Sequence, residues 1–252
     1  MHRLKFLARE VGNVRRILVP RDFRRWCGAL WRGRAEIWRR RSLGPADDRL
    51  GERFSIRVRG RELQLEGASF GVVREIFGRE CYIAGADLAN CRTVVDLGAN
   101  AGTFSLFAAV NAPECRVHAV EAQPAFVPII EANLARNGLA GRVQVENALV
   151  GGVHDAWSRE LVRRHPEIGT YPIGARLEAL GTCDFLKCDV EGAEFRLLAE
   201  DRTWLRRVRR IALEYHGTWD DGAGLAEILR GEGLTVAQAA HGSLGYLFGS
   251  RP

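Results

Sequence analysis

Four short stretches of this 252-residue chain carry side chains whose types and spacing could do chemistry. In VVDLGANAGTFS, residues 94–105, Asp96 is followed by Gly98, Asn100 and Gly102. Glycines there let the backbone approach a ligand, and a helix starting after them offers unpaired N–H groups. Glu121 lies nineteen positions past Gly102, where a carboxylate can accept both hydroxyls of a ribose. The block DVEGAE gathers Asp189, Glu191 and Glu194. Carboxylates set that closely favour keeping a proton, which suits a general base and also invites a hard divalent cation. Finally, LEYHG puts Glu214 and His216 two residues apart, on one face of a strand. The ordinary pKa of an imidazole suits proton transfer near neutral pH.

The glycine loop reads GxxxG, not the GxGxxG of a dinucleotide site. A carboxylate at Asp96 would repel a pyrophosphate but suits an ammonium or sulfonium. These charges favour S-adenosylmethionine over NAD.

The elements that must hold these groups follow from hydrophobic pattern. CRTVVDL, CRVHAVEA, RVQVENALV, CDFLKCDV, VRRIALEY, LTVAQAA and LGYLFG read as strands. TFSLFAAVNA and PAFVPIIEANLARNG read as helices between them. The architecture expected is α/β: a seven-stranded, mostly parallel sheet with helices on both faces, its ligand site at the carboxyl ends of the strands. Only HGS separates the last two strands, too short a link for a crossover helix, so the last strand should be antiparallel. Upstream, FSIRVRGRELQLEG alternates around Gly60 as a hairpin, and FGVVREIFGRECY leads into the sheet as a short helix. RSLGPADDRLGE reads as a linker. From Asp22 to about Arg40 the apolar residues, including Trp26, Trp31 and Trp38, fall near one helical face, with Gly28 and Gly33 weakening it. Residues 1–45 are thus expected to be a basic amphipathic arm and 46–252 the catalytic domain, its core starting at about 90.

Charge is uneven. Residues 1–41 hold thirteen lysines and arginines against Glu10, Asp22 and Glu36, so the net +6 of the chain belongs to this segment. Such an arm could lie on an anionic membrane surface, bind a nucleic acid, dock a second subunit, or pack its tryptophan face against the catalytic domain. All cofactor positions expected lie beyond it, so it should be dispensable for folding and for cofactor binding. The cysteines, Cys27, Cys81, Cys91, Cys115, Cys183 and Cys188, contain no CxxC pair and read as reduced. With no secretory signal pattern, the address expected is cytoplasmic, peripheral to the inner face of a membrane if the arm binds lipid.

The blocks VVDLGANAGTFSLFAA, VHAVEAQPAFVPIIEANLARNG, VQVENALVGG and above all DFLKCDVEGAEFRLL resemble the FkbM family of class I S-adenosylmethionine-dependent methyltransferases. The resemblance spans roughly residues 70–248. It implies a Rossmann-like fold and O-methylation of a small molecule, natural product or glycan. It also implies that Asp96, Gly98, Asn100 and Gly102 line the methionine end of the cofactor, that Glu121 holds the ribose, and that Asn147 and Ala148 sit at the adenine edge. Tyr82 resembles the aromatic position that closes over the cofactor. For catalysis the candidates are Asp189, Glu191 and His216, working without metal or, alternatively, with Mg2+ on Asp189 and Glu191. Arg163, Arg164 and Arg176, between the third and fourth strands, could hold an acidic acceptor. The competing readings are an RNA methyltransferase anchored by the basic arm, for which DVEGAE would repel phosphate, and a non-catalytic cofactor-binding module.

Overall fold

A computed structural model describes residues 2–241 and 244–251. Four helices open the chain, α1 (His2–Ile17), α2 (Pro20–Arg32), α3 (Arg34–Arg40) and α4 (Gly44–Leu50). A hairpin of β1 (Arg53–Val58) and β2 (Arg61–Glu66) follows, then α5 (Phe70–Val73), which runs into a π-helical turn at Arg74–Arg79. The main domain alternates β3 (Thr93–Leu97), α6 (Thr103–Asn111), β4 (Arg116–Glu121), α7 (Val127–Arg136), β5 (Val143–Asn147), α8 (Ala156–Arg164) and α9 (Ile173–Leu180). It continues with β6 (Phe185–Cys188), α10 (Ala193–Ala199), a 3-10 turn at Thr203–Arg207, β7 (Arg210–Tyr215), α11 (Trp219–Gly231), β8 (Thr235–His241) and β9 (Leu244–Ser250).

The seven-stranded sheet has the order β5-β4-β3-β6-β7-β9-β8. Strands β3 to β7 pair in parallel, and β9 runs antiparallel between β7 and β8. The short link expected there includes Gly242 and Ser243, which lie outside the described residues. Alternate side chains supply two cores, as a sheet buried on both faces requires. Val94, Val117, Phe185 and Ala212 join α1, α2, α6 and α7, whereas Val95, Val120, Leu186 and Leu213 join α9, α10 and α11.

The hairpin turns at Arg59 and Gly60, both at positive φ (47° and 78°), the geometry whose twist matches that of paired strands. Its second strand is tied to the sheet domain by two asparagines one turn apart on and just beyond α7. Asn133 accepts from the Glu66 N–H and donates to the Glu66 carbonyl, both at 2.9 Å, and Asn137 does the same for Gln64.

The N-terminal segment differs from the sequence expectation in three ways. A helix precedes the expected one: Val14 and Ile17 are core residues of α1, but Glu10 sits in the same stripe and disguises it. The stretch read as a linker folds as α4, with Pro45, Ala46, Asp47 and Leu50 buried. The three tryptophans do not share a fate, because Gly33 divides the expected helix into α2 and α3. Trp26 is fully buried and donates its indole N–H to Asp47 at 2.9 Å, whereas Trp31 and Trp38 are 69% and 86% exposed.

A buried charge network fastens this segment to the rest. Arg74 bonds Glu10 and, at 3.0 Å, Asp47, and Arg79 bonds Glu10 at 2.7 Å. Burial pushes the Glu10 carboxyl up, but the two guanidiniums outweigh it and hold it below its usual value. At Asp47 burial wins, and the carboxyl is held above its usual value. Val14, Ile17, Leu18 and Trp26 lie in the same core as the sheet, so a chain lacking residues 1–41 is expected to be less stable than the sequence reading suggested, which a thermal melt of the truncation checks.

No helix among the described residues is long and apolar enough to cross a membrane. All six cysteines are free.

Candidate active site

The strand order reverses between β3 and β6, and the loops leaving β3, β4, β5 and β6 open there into one cavity of about 450 Å3. This is where an open α/β sheet binds its ligand. From β3 come Gly98 and Asn100, from β4 Glu121 to Gln123, from β5 Ala148 to Val150, and from β6 Asp189 to Glu191.

Gly98 has φ +76°, and a Cβ added to it would lie 1.8 Å from the Asp189 carbonyl oxygen, so only glycine lets the first and fourth strands close at their ends. Its N–H and that of Ala99 both donate to the Val120 carbonyl at 3.0 Å. Gly102, φ +77°, stands before α6, and a Cβ there would meet Ile130 at 2.9 Å. Gly102 therefore seats the helix against α7 and does not line the cavity.

Glu121 is 6% exposed. One carboxylate oxygen accepts from the Asn100 N–H at 2.7 Å and the other from the Gln123 N–H at 2.8 Å. Burial still pushes its pKa up, more than those two bonds lower it. Each oxygen keeps a lone pair for a further donor, so the backbone aims a carboxylate that can receive two hydroxyls. Asn147 spends its amide on the Glu121 and Ala122 carbonyls at 2.7 and 3.0 Å. It braces this loop, while Ala148 lines the cavity.

Asp96 is placed differently from the expectation. It is wholly buried, accepting from Ser105 at 2.7 Å and lying 3.2 Å from the Lys187 ammonium. Lys187 also donates to the Gly98 carbonyl at 2.6 Å. Burial pulls its pKa down, but Asp96 and Asp189 more than reverse this. Asp96 therefore neutralises Lys187 and offers no charge to a ligand. Near the ends of β3 and β6 the negative wall of the cavity comes from Asp189 and Glu191 instead.

Tyr82 links the remaining acids. It is 6% exposed, and its hydroxyl oxygen lies 2.8 Å from one oxygen of Asp189 and 2.8 Å from one of Glu214. A phenol has one proton, so two short O···O contacts to carboxyl groups need a second. Burial, and then the Asp189 charge, push the Glu214 carboxyl up to about 7, so Glu214 supplies that second proton as pH falls through 7. The protons then run from Glu214 to Tyr82 to Asp189, leaving Asp189 as the terminal acceptor. Tyr82 does not line the larger cavity. It lines a neighbouring one of about 170 Å3, and Gly98, Asn100, Asp189 and Glu191 form walls of both.

This proton can be read out in stability. A carboxyl held above its unfolded-state value of about 4.3 binds its proton more tightly when folded. Its contribution is full below that value and drains away as pH rises toward 7. Glu214→Gln, which mimics the protonated acid, should melt with wild type near about pH 4. Near about pH 8 it should be the more stable, by on the order of 3–4 kcal/mol. Thermal melts across this range check the sign.

His216 is a different group from the free imidazole expected. Its Nδ1 lies 3.3 Å from Glu194, and its Nε2 lies 3.2 Å from Glu191 and 3.8 Å from Glu214. The bond to Glu194, set against partial burial, raises its pKa to about 9. At neutral pH it is an imidazolium with no lone pair for a proton. Glu194, fully buried at the start of α10, accepts from the Gly192 and His216 N–H groups at 2.8 and 2.7 Å, so it both caps the helix and positions His216.

Mg2+ on Asp189 and Glu191 finds no support in this arrangement. Among the described residues, the group of three acid and His side chains whose ligand atoms lie within 4.8 Å of one another is Asp189, Glu214 and His216, without Glu191. Each of these already shares a proton with a neighbour.

Arg163 and Arg164 bind Glu160, and Arg176 binds Glu146. They stabilise their own surfaces and do not converge on the site. Residues that pattern reading missed are Gln123, His154, Asp155 and Trp157 on the cavity wall. The signal available was the run HDAWS, in which Asp155 and Ser158 form a reciprocal cap that starts α8 beside the cavity.

Residues 96–234 match the methyltransferase FkbM domain. The chain is similar to the 31-O-demethyl-FK506 methyltransferase FkbM of Streptomyces tacrolimicus, 32% identical over 212 residues that cover 65% of this chain and 80% of that protein. It is also similar to the methyltransferase sdnD of Sordaria araneosa, 26% identical over 200 residues, 59% and 74% of the two chains. A solved O-methyltransferase family protein from Burkholderia thailandensis aligns with a TM-score of 0.50 at 15% identity, over 72% of this chain and 57% of that one. At that identity the likeness is one of fold. With more than half of its length inside the matched domain, this chain belongs to the FkbM family of class I methyltransferases.

Proposed function

We propose that the protein transfers a methyl group from S-adenosylmethionine to a hydroxyl of a small molecule or glycan. The observation that carries this reading is the position of Asp189, which faces both cavities and ends the proton chain from Glu214 through Tyr82. In the larger cavity Glu121 would hold the ribose hydroxyls, Ala148 and Leu149 the adenine, and Asp189 and Glu191 the cationic end. The cofactor supplies a methyl group already activated on a sulfonium. What remains for the protein is to align the acceptor and take its proton. The smaller cavity, lined by Cys81, Thr103, Glu191 and Glu214, would take the acceptor. Asp189 on the shared wall removes the hydroxyl proton, and the imidazolium of His216 holds Glu191 and Glu194 in place. The relative named for 31-O-demethyl-FK506 supports oxygen as the methylated atom. The carboxylates at the rim disfavour a polyanionic acceptor such as RNA.

Calorimetry should show binding of S-adenosylmethionine and its demethylated product but not of NAD; binding of NAD alone would overturn the cofactor reading. Glu121→Ala should weaken cofactor binding by more than about tenfold, since it loses charge-assisted bonds to the ribose. Unchanged affinity would place the ribose elsewhere. Incubation of hydroxylated acceptors with methyl-labelled cofactor, read by mass, tests the transfer itself.

A further inference from the structure

We infer that α2 and α3 present a docking surface for an anionic lipid bilayer, with Trp31 and Trp38 as the side chains that enter it. These indoles are the most exposed large apolar side chains among the described residues, at 69% and 86%. They stand seven positions apart, Trp31 near the end of α2 and Trp38 in α3, with Gly33 between the two helices. The inner side of the same helices is fixed. Trp26 and Ala29 are fully buried in the core, and the Trp26 indole is bonded to Asp47 of α4. The outer side is thus held in a rigid frame and is not a loose tail.

Its charge is of one sign. Residues 23–46 contain seven arginines and a single acid, Glu36, which is engaged by Arg40 at 2.8 Å and Arg49 at 2.9 Å. Arg32, Arg34, Arg39, Arg40 and Arg41 are exposed around the two indoles, and Arg34 stacks over Trp31 at 4.6 Å. Indole rings prefer the boundary between headgroups and acyl chains, and guanidiniums meet anionic headgroups. A second copy of the chain would bring this positive surface against itself across a two-fold axis, which like charges oppose. A nucleic acid would use the arginines and could stack bases on the indoles, so RNA binding is the rival outcome that the test separates.

The test is sedimentation of the full chain with vesicles of phosphatidylcholine, with and without phosphatidylglycerol. Binding should require phosphatidylglycerol and weaken as salt is added. The pair W31A/W38A should weaken it by about tenfold or more. The triple R39A/R40A/R41A should do the same through the other half of the surface. Both should keep the wild-type melting temperature, since all five side chains are exposed. The inference is overturned if phosphatidylglycerol vesicles do not bind the protein, or if both variants bind like wild type. It is also overturned if RNA binds where vesicles do not, or if the double variant abolishes a dimer in place of lipid binding.

Discussion

Asp189→Asn is expected to lower turnover by a factor on the order of 100 to 10,000, with cofactor affinity changed far less than by Glu121→Ala. The amide keeps the size of the carboxylate and can still accept from the Tyr82 hydroxyl, which lies 2.8 Å away, but it cannot take a proton from an acceptor. His216→Gln separates this reading from its rival. If Asp189 is the base, the histidine variant loses less, because the imidazolium only holds its acidic neighbours. If His216 were the base, it would have to lose its own proton first. Turnover of the wild type would then climb with pH through about 9, where the Glu194 bond has placed this imidazole. Full turnover in Asp189→Asn, together with that climb, would move the catalytic role to His216. The pH–rate profile and single-turnover measurements on the two variants decide the matter.

The second large effect expected is on stability. Arg74→Met should cost about 3–5 kcal/mol. The Arg74 side chain is 7% exposed and bonds two carboxylates whose own side chains are 0% and 2% exposed. Removing it leaves Asp47 buried with the Trp26 indole alone, and leaves Glu10 to Arg79. The loss should shrink as pH is lowered, because Asp47, already held above its usual value by burial, can then take a proton and lie neutral. A double variant, D47N/R74M, should lose less than R74M alone, since Asp47 is then neutral and Glu10 keeps Arg79. Equal losses would mean that Arg74 acts by packing.

These expectations divide according to what a sequence displays. Strands β3 to β9 were legible because each is a short apolar run bounded by turn residues, and the antiparallel pairing of β8 and β9 follows from the shortness of their link. The loop residues Gly98, Glu121 and Asp189 were legible because the fold puts strand ends at the ligand site. The fate of Asp96 was not, because nothing in VVDLGAN says that Lys187, ninety-one positions later, will neutralise it. Nor could the role of Tyr82 be read, since its meaning lies in two carboxylates from different strands arriving on one oxygen. His216 looked like a free imidazole until Glu194 stood beside it. The N-terminal helices were hidden for a related reason. The core sides of α1 and α4 contain Glu10 and Asp47, two buried acids that hydrophobic periodicity scores as surface.

The network around Glu10 also sets an order of events while the chain is being made. The two cations that satisfy this buried carboxylate lie 64 and 69 residues further along. At about 5–20 residues per second, they leave the ribosome roughly 3–14 s after it does. Until then α1 can form locally but cannot bury Glu10, and the Trp26 indole must wait for Asp47. For those seconds the emerging segment is cationic and tryptophan-bearing, with no home in the fold. Those are the seconds in which a chaperone or an anionic surface competes with Arg74 and Arg79 for it.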